Sequence, residues 1–242
     1  MNNNIKAGKL YLIPTVLCEG DSALLSLPAS VPGAVKDCDV FFAENERTAR
    51  RFLKKIWKEI IIDNYQWHTI HKAEDSVVTD LKKCLQEGKN AGIISEAGCP
   101  CIADPGQKLV AAAHAVDAEV IPVTGPSAIL LALMASGMNG QSFRFTGYLP
   151  VESSQRKKAI KNLENDSAKN NCTEIFIETP YRNNQLVKDI LQTCHNDTLF
   201  CIAVDITSSQ QTIITKRISD WKKQVPELHK RTAVFILYAG EI

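Results

Sequence analysis

The 242-residue sequence predicts an α/β protein made of two α/β domains, 1–140 and 141–242. Along the first half, short apolar runs alternate with helix-like segments, the pattern of strand–helix–strand units and parallel sheets. In the second half, two strand-like runs, Leu199–Val204 and Thr212–Thr215, are separated only by the polar connector Asp205–Gln211. That spacing fits a hairpin and therefore a mixed sheet. Between the halves lies "GMNGQ", Gly137–Gln141, a glycine-containing patch suited to a boundary.

The elements follow in order. Leu10–Ile13 and Val40–Ala43 read as the first strands. Between them, Pro28 and Pro32 interrupt Leu24–Val35, giving two short pieces or a kinked helix. Glu46–Trp57 is the first clear helix, and Ile60–Ile62 reads as the next strand. Asp75–Glu87 is a helix, with Asp75 as N-cap and Gly88 just past its end. Ala91–Ser95 (strand), Gln107–Val116 (helix) and Glu119–Val123 (strand) continue the alternation. Gly125-Pro126-Ser127 stops that strand and starts the helix Ser127–Ser136. Beyond the boundary, strands at Phe143–Thr146, Thr173–Glu178 and Ala233–Tyr238 accompany helices Gln155–Leu163 and Asn183–Cys194.

Composition removes several function classes. A 45% hydrophobic content supports a core without staples, and a net charge of +1 gives no global pull toward nucleic acid or membrane. Any basic surface must be local. No run approaches the roughly 18 apolar residues of a membrane span. Eight cysteines without a C-x-x-C pair, behind an N-terminus unlike a signal peptide, imply reduced thiols in a cytoplasmic protein. His68 and His71 alone among the histidines approach metal-ligand spacing; they read as rim residues, and no metal is expected.

Three loops follow apparent strands in the first half: Pro14–Asp21, Ser95–Gly106 and Thr124–Ala128. Glu178–Arg182 is a fourth, in the second half. The densest stretch is "ISEAGCPCIADPG", where Gly98, Pro100, Pro105 and Gly106 constrain the backbone beside Glu96 and Asp104. Glycine permits close approach to a ligand, and open α/β sheets bind ligands beyond the carboxyl ends of their strands. An ordinary strand-to-helix turn accounts for the same residues. There is no P-loop, no G-x-G-x-x-G and no G-x-S-x-G. Arg47, Arg50, Arg51, Lys54 and Lys55 fall at i, i+3, i+4, i+7 and i+8, on one helix face. Arg156, Lys157, Lys158 and Lys161 form a second basic group. Such faces either hold phosphates or are simply solvated.

Taken in order, "SEAGCPCIADPG", "VIPVTGPSA", "FRFTGYLP" and "FIETPYR" resemble the tetrapyrrole (corrin/porphyrin) methylase superfamily. The closer resemblance is to its branch that methylates a ribose 2′-hydroxyl in small-subunit ribosomal RNA. It implies two α/β domains with S-adenosyl-L-methionine in a ligand cleft between them, a homodimer, and ribosomal RNA or the small ribosomal subunit as partner. It places Pro14, Ala97, Gly98, Cys99, Ile102, Ser127, Ala128 and Glu178 against the methyl donor. "AENERTARRFLKK" resembles that branch's Ala-Glu-Asp-Thr-Arg segment at Glu44 and Arg47. With this context, Arg47, Arg50, Arg51, Lys54, Arg156 and Lys157 become candidate RNA contacts. Methyl transfer from a sulfonium requires alignment, and a ribose hydroxyl must also lose its proton. Glu44, Glu178 and Asp205 are candidate bases because they end apparent strands; each could instead cap a helix or pair with an arginine, as Glu178 could with Arg182.

The departures from the branch gather at the inferred site. The Gly-Asn of its first loop is Leu17-Cys18, and the Asp and Thr of Glu-Asp-Thr-Arg are Asn45 and Glu46. The Asp of Ser-Asp-Ala-Gly is Glu96, and the Arg-Glu of Ala-Arg-Glu-Leu-Thr-Lys is Val204-Asp205. A methylase of tetrapyrroles, or a degenerate member that binds RNA without methyl transfer, would also fit this pattern.

Overall fold

The computed structural model describes residues 6–70 and 75–241, the side chains of 21, 22, 75 and 76 aside. The chain divides into two compact units, 1–127 and 128–242.

The first unit holds five strands: β1 (Lys9–Ile13), β2 (Val40–Ala43), β3 (Gln66–Thr69), β4 (Ala91–Ile94) and β5 (Glu119–Pro122). Their order is β3-β2-β4-β1-β5, and every pairing is parallel. Parallel strands need crossover connections that cover both faces of the sheet. Here α1 (Val31–Lys36) and α2 (Glu46–Ile56) cover one face, while α3 (Asp75–Gln86) and α4 (Gln107–His114) cover the other. Adjacent residues of β2 show the consequence: Phe41 packs with Val35 and Leu53, and Phe42 packs with Leu81 and Leu85, all fully buried.

Leu24–Val35 resolves into two short pieces, a 3₁₀ turn at Asp21–Ser26 and α1. Gly88 follows α3 with φ 79°, the left-handed conformation of a helix-ending glycine. The side chain of Asp75 lies outside the described residues. One expected strand is corrected: Ile60–Ile62 is not a strand. Ile60 is fully buried as a core plug, Ile61 is 61% exposed, and a 3₁₀ turn begins at Ile62. The strand is the polar segment Gln66–Thr69 instead. It lies at the sheet edge, where one backbone edge is left unpaired and the side chains are exposed or only partly buried, Trp67 packing on Phe41 and His68 on Phe42.

The second unit contains α5 (Ala128–Ser136), β6 (Phe143–Tyr148), α6 (Ser153–Asn170), β7 (Thr173–Ile177), α7 (Asn183–Thr193), β8 (Leu199–Val204), β9 (Thr212–Arg217), α8 (Ile218–Trp221) and β10 (Ala233–Tyr238). Its sheet order is β6-β7-β10-β8-β9. β6 and β7 are parallel, and the remaining pairs, including the β8–β9 hairpin, are antiparallel. Phe176, Phe235 and Phe200 stack in a row across three strands, each step 6.0 Å, under α6 and α7.

Arg156 ties α6 to α7. Its guanidinium is buried, lies 2.5 Å from the Asp189 carboxylate, and donates to the Val151 carbonyl at 2.6 Å. Removing one member of such a pair strands the other charge in the core. Arg156→Ala should therefore destabilise the second unit by about 3–5 kcal/mol, read as an earlier urea transition.

Candidate active site

All strands of the first sheet are parallel, so the loops after β1, β4 and β5 emerge at one edge, and they are joined there. The Thr15 N–H donates to the Gly98 carbonyl at 2.9 Å, and the Thr15 hydroxyl approaches the Ser95 carbonyl at 3.5 Å. The Cys99 thiol reaches the carbonyls of Pro126 (3.5 Å) and Gly125 (3.7 Å). Gly125 is required by this packing, because a Cβ there would stand 2.1 Å from the Pro14 Cβ. Gly98 adopts φ 72°, and a Cβ on it would meet the Leu17 side chain at 3.0 Å and the Pro126 carbonyl at 3.2 Å. Pro14, Gly98 and Cys99 are thus brought together. Ala97 and Ile102 are exposed in the same loop, and Ser127 is half-buried at the end of the unit. Ala128 opens α5 and, with Glu178, belongs to the second unit.

Carboxylates collect at the same edge. The Glu44 N–H donates to the Ile94 carbonyl, and the Glu44 Oε2 accepts the Glu96 N–H, both at 3.1 Å. Asp104 stands near both. Burial pushes its carboxyl up to about 6, the charges of Glu44 and Glu96 add to the shift, and the Ser95 hydroxyl opposes it. The sequence reading did not place Asp104 among the site residues. Its signal was present in "ADPG", a carboxylate held in the most constrained loop of the chain.

Asn45, which departs from the resembled motif, still caps α2, accepting from the N–H groups of Arg47 (3.1 Å) and Thr48 (3.3 Å). The five cations of this helix are not equivalent. Arg50 pairs with Glu46 at 2.5 Å and lies over the Trp67 ring at 5.1 Å, and Lys54 donates to the Ile60 carbonyl. Arg47, Arg51 and Lys55, at i, i+4 and i+8, are exposed and form no ion pair with a described residue. In the second basic group, Arg156 is corrected from a surface cation to a buried one. Lys157 donates to Gln192 at 2.9 Å, and Lys161 pairs with Glu164 at 2.8 Å. Amphipathic spacing hid this, because α7 covers the face of α6 that carries Arg156.

The remaining carboxylates lie in the second unit. Glu178 is buried at the carboxyl end of β7. Its Oε1 accepts from Arg182 (2.5 and 3.0 Å) and from the Thr179 N–H (2.7 Å), while Oε2 has no partner among the described residues. Asp205 accepts from Arg231 at 2.8 Å and from the Thr232 N–H and hydroxyl at 3.1 and 3.0 Å. His68 stacks on Phe42 (4.7 Å) and lies 3.2 Å from Asp80, and His71 is outside the described residues.

The family model of Tetrapyrrole (Corrin/Porphyrin) Methylases matches residues 20–221. Ribosomal RNA small subunit methyltransferase I of Buchnera aphidicola subsp. Schizaphis graminum (strain Sg) is 29% identical over 243 aligned residues, covering 99% of this chain and 81% of that protein. The protein of the same name from Buchnera aphidicola subsp. Acyrthosiphon pisum (strain APS) is 30% identical, covering 97% and 80%. That from Escherichia coli O157:H7 is 28% identical, covering 95% and 77%. Among solved structures, the methyltransferase CobJ aligns with a TM-score of 0.64 at 16% identity, over 96% of this chain and 94% of that one. Uroporphyrin-III-C-methyltransferase from Thermus thermophilus aligns with a TM-score of 0.53 at 13% identity, over 96% and 92%. At these identities the two structures share the fold.

The raised Asp104 carboxyl makes a pH prediction. Between its ordinary range near 4 and its folded value of about 6, the native state binds more protons than the unfolded chain, so stability falls as pH rises through that window. Asp104→Asn should therefore unfold at a higher temperature than wild type at pH 8. The gain should vanish below about pH 4, as followed by thermal denaturation across pH.

Proposed function

We propose, on the premise that this chain belongs to the tetrapyrrole (corrin/porphyrin) methylase family and is a methyltransferase, that it moves the methyl group of S-adenosyl-L-methionine to a ribose 2′-hydroxyl of small-subunit ribosomal RNA. The observation that carries this reading is the joined loop cluster of Pro14, Thr15, Gly98, Cys99 and Gly125. Gly125 has no room for a side chain, and Gly98, at φ 72°, could take one only with strain, so the cluster offers a ligand backbone rather than bulk. The residues present therefore suit the donor. Pro14, Ala97, Gly98, Cys99, Ile102 and Ser127 would hold it.

The donor, when bound, supplies an already activated methyl group. What the chain must add is alignment of the acceptor oxygen, exclusion of water and a place for the hydroxyl proton. Glu178 and Asp205 already accept from arginines, which favours Glu44, with Asp104 beside it, as the proton acceptor. The Asp104 carboxyl, pushed up to about 6 by burial and by the neighbouring carboxylates, is itself suited to take up a proton near neutral pH. Arg47, Arg51 and Lys55 supply the phosphate contacts, with Arg50 and Lys54 held back by their own partners. The names of the relatives and this exposed stripe favour RNA over a tetrapyrrole.

In this reading the protein works in the cytoplasm as a homodimer. Cys38, Cys84, Cys99, Cys172, Cys194 and Cys201 are free thiols, as a reducing compartment would leave them. Met134 is 78% exposed on the apolar helix α5, a surface a second copy would cover. Among the described residues, no helix is long and apolar enough to cross a membrane.

Calorimetry with S-adenosylhomocysteine should show micromolar binding that is lost in Ala97→Trp and Ser127→Trp, and wild type should pass labelled methyl from S-adenosylmethionine to small ribosomal subunits. Absence of both signals would leave only the degenerate, RNA-binding alternative. Leu17 lies over Gly98 where the resembled loop has glycine, so Leu17→Gly should tighten donor binding several-fold. Replacing Arg47, Arg51 and Lys55 together with alanine should lower the salt dependence of RNA binding by about three units of log–log slope.

A further inference from the structure

We propose that Tyr148 and Tyr181 form a stacking platform that receives an unpaired nucleobase of the RNA substrate; this rests on the reading of the substrate as RNA. Both rings face solvent, Tyr148 at 58% and Tyr181 at 71% exposure, although large aromatics ordinarily bury much of their surface. Neither phenol oxygen makes a hydrogen bond with a described residue. Their placement in the fold is specific. Tyr148 is the last residue of β6, in register with Ile177, the last residue of the parallel neighbour β7. Tyr181 lies on the loop that leaves β7. Two aromatic rings thus stand at adjacent carboxyl ends of the one parallel strand pair in this sheet.

The surroundings are polar and cationic. The His229 ring meets Tyr181 edge-on, with centroids 6.0 Å apart and planes at 70°. The Lys230 N–H donates to the Pro180 carbonyl at 3.1 Å, which pins an exposed lysine beside the tyrosine loop. Arg182, partly exposed, follows Tyr181 directly. On the same loop, Glu178 is buried and pairs with Arg182 through Oε1, and its buried Oε2 has no partner among the described residues.

Exposed aromatic faces with a histidine and a lysine at their rim fit one ligand chemistry: a flat, hydrogen-bonding ring on a phosphate backbone. Single-stranded RNA is recognised by splaying bases onto aromatic side chains while cations hold the backbone. An apolar peptide would use the rings but not the lysine or the histidine. The nearly neutral chain as a whole supplies no general attraction, so these local cations would matter.

The test uses the full chain and a short fluorescein-labelled single-stranded RNA of mixed sequence, read by fluorescence anisotropy. Tyr181→Ala and Tyr148→Ala should each weaken binding about tenfold to a hundredfold. Tyr181→Phe and Tyr148→Phe, which keep the ring, should stay within about twofold of wild type. Affinity for S-adenosylhomocysteine and the thermal transition, measured on the same samples, should match wild type. The platform is overturned if wild type does not bind the oligonucleotide, if the alanine variants bind as well as wild type, or if the phenylalanine variants are as weak as the alanine ones. Normal anisotropy results together with no methyl transfer to ribosomal subunits would instead overturn the reading of the reaction.

Discussion

A parallel sheet places a demand on everything around it: each strand must start again from the same side, so the chain has to cross back over a face every time. In the first unit this single constraint accounts for the helices on both faces, for the burial of Phe41 and Phe42 in opposite directions, and for the meeting of loops at one edge. The loops do not merely converge. Thr15 bonds to Gly98, Cys99 reaches Gly125 and Pro126, and Gly125 fits against Pro14 only because it lacks a side chain. The result is a rigid, backbone-lined surface whose shape depends on the sheet beneath it.

The second unit manages charge more than backbone. Its sheet is mixed, so fewer loops are forced to one edge, and several ionised groups lie inside. Arg156 with Asp189, Glu164 with Lys161 and Thr198, and Glu174 with Arg144 each hold helices and strands in place. The Arg156–Asp189 pair is buried on both sides, costly to desolvate and more costly to break, while in the other two the carboxylate is buried and the cation partly exposed; such residues fix packing rather than recognise ligands. Cations without such duties remain available for recognition, among them Arg47, Arg51 and Lys55 in the first unit and Lys158 and Lys230 in the second.

Much of this was legible in the residues. Val40–Ala43, Leu199–Val204 and Ala233–Tyr238 are strands at the expected bounds, because buried strands are continuous apolar runs. The order of glycine- and proline-rich motifs pointed to the right family. What stayed hidden has physical reasons. The edge strand Gln66–Thr69 carries polar side chains and so leaves no apolar run, whereas Ile60–Ile62 has the composition of a strand but serves as a plug. The burial of Arg156 depends on α7, which no local pattern around Arg156 reveals. The environment of Asp104 comes from Glu44, far away in sequence and carried beside it by the neighbouring strand.

The loop between β4 and α4 holds Cys101 and Ala103 at φ 68° and 63°, and then Gly106 at 130°. Left-handed geometry costs a residue with a Cβ about 1–2 kcal/mol, and here that cost is met when the domain folds, not when a ligand arrives. The loop is therefore ordered in advance. In the proposed reading, a donor entering it would surrender little chain entropy on the protein's behalf, and recognition would be a matter of complementary shape rather than of wrapping. It also means that the loop cannot easily remodel itself around a larger cofactor. Evolution toward a different donor would have to alter the turn itself, and with it the start of α4.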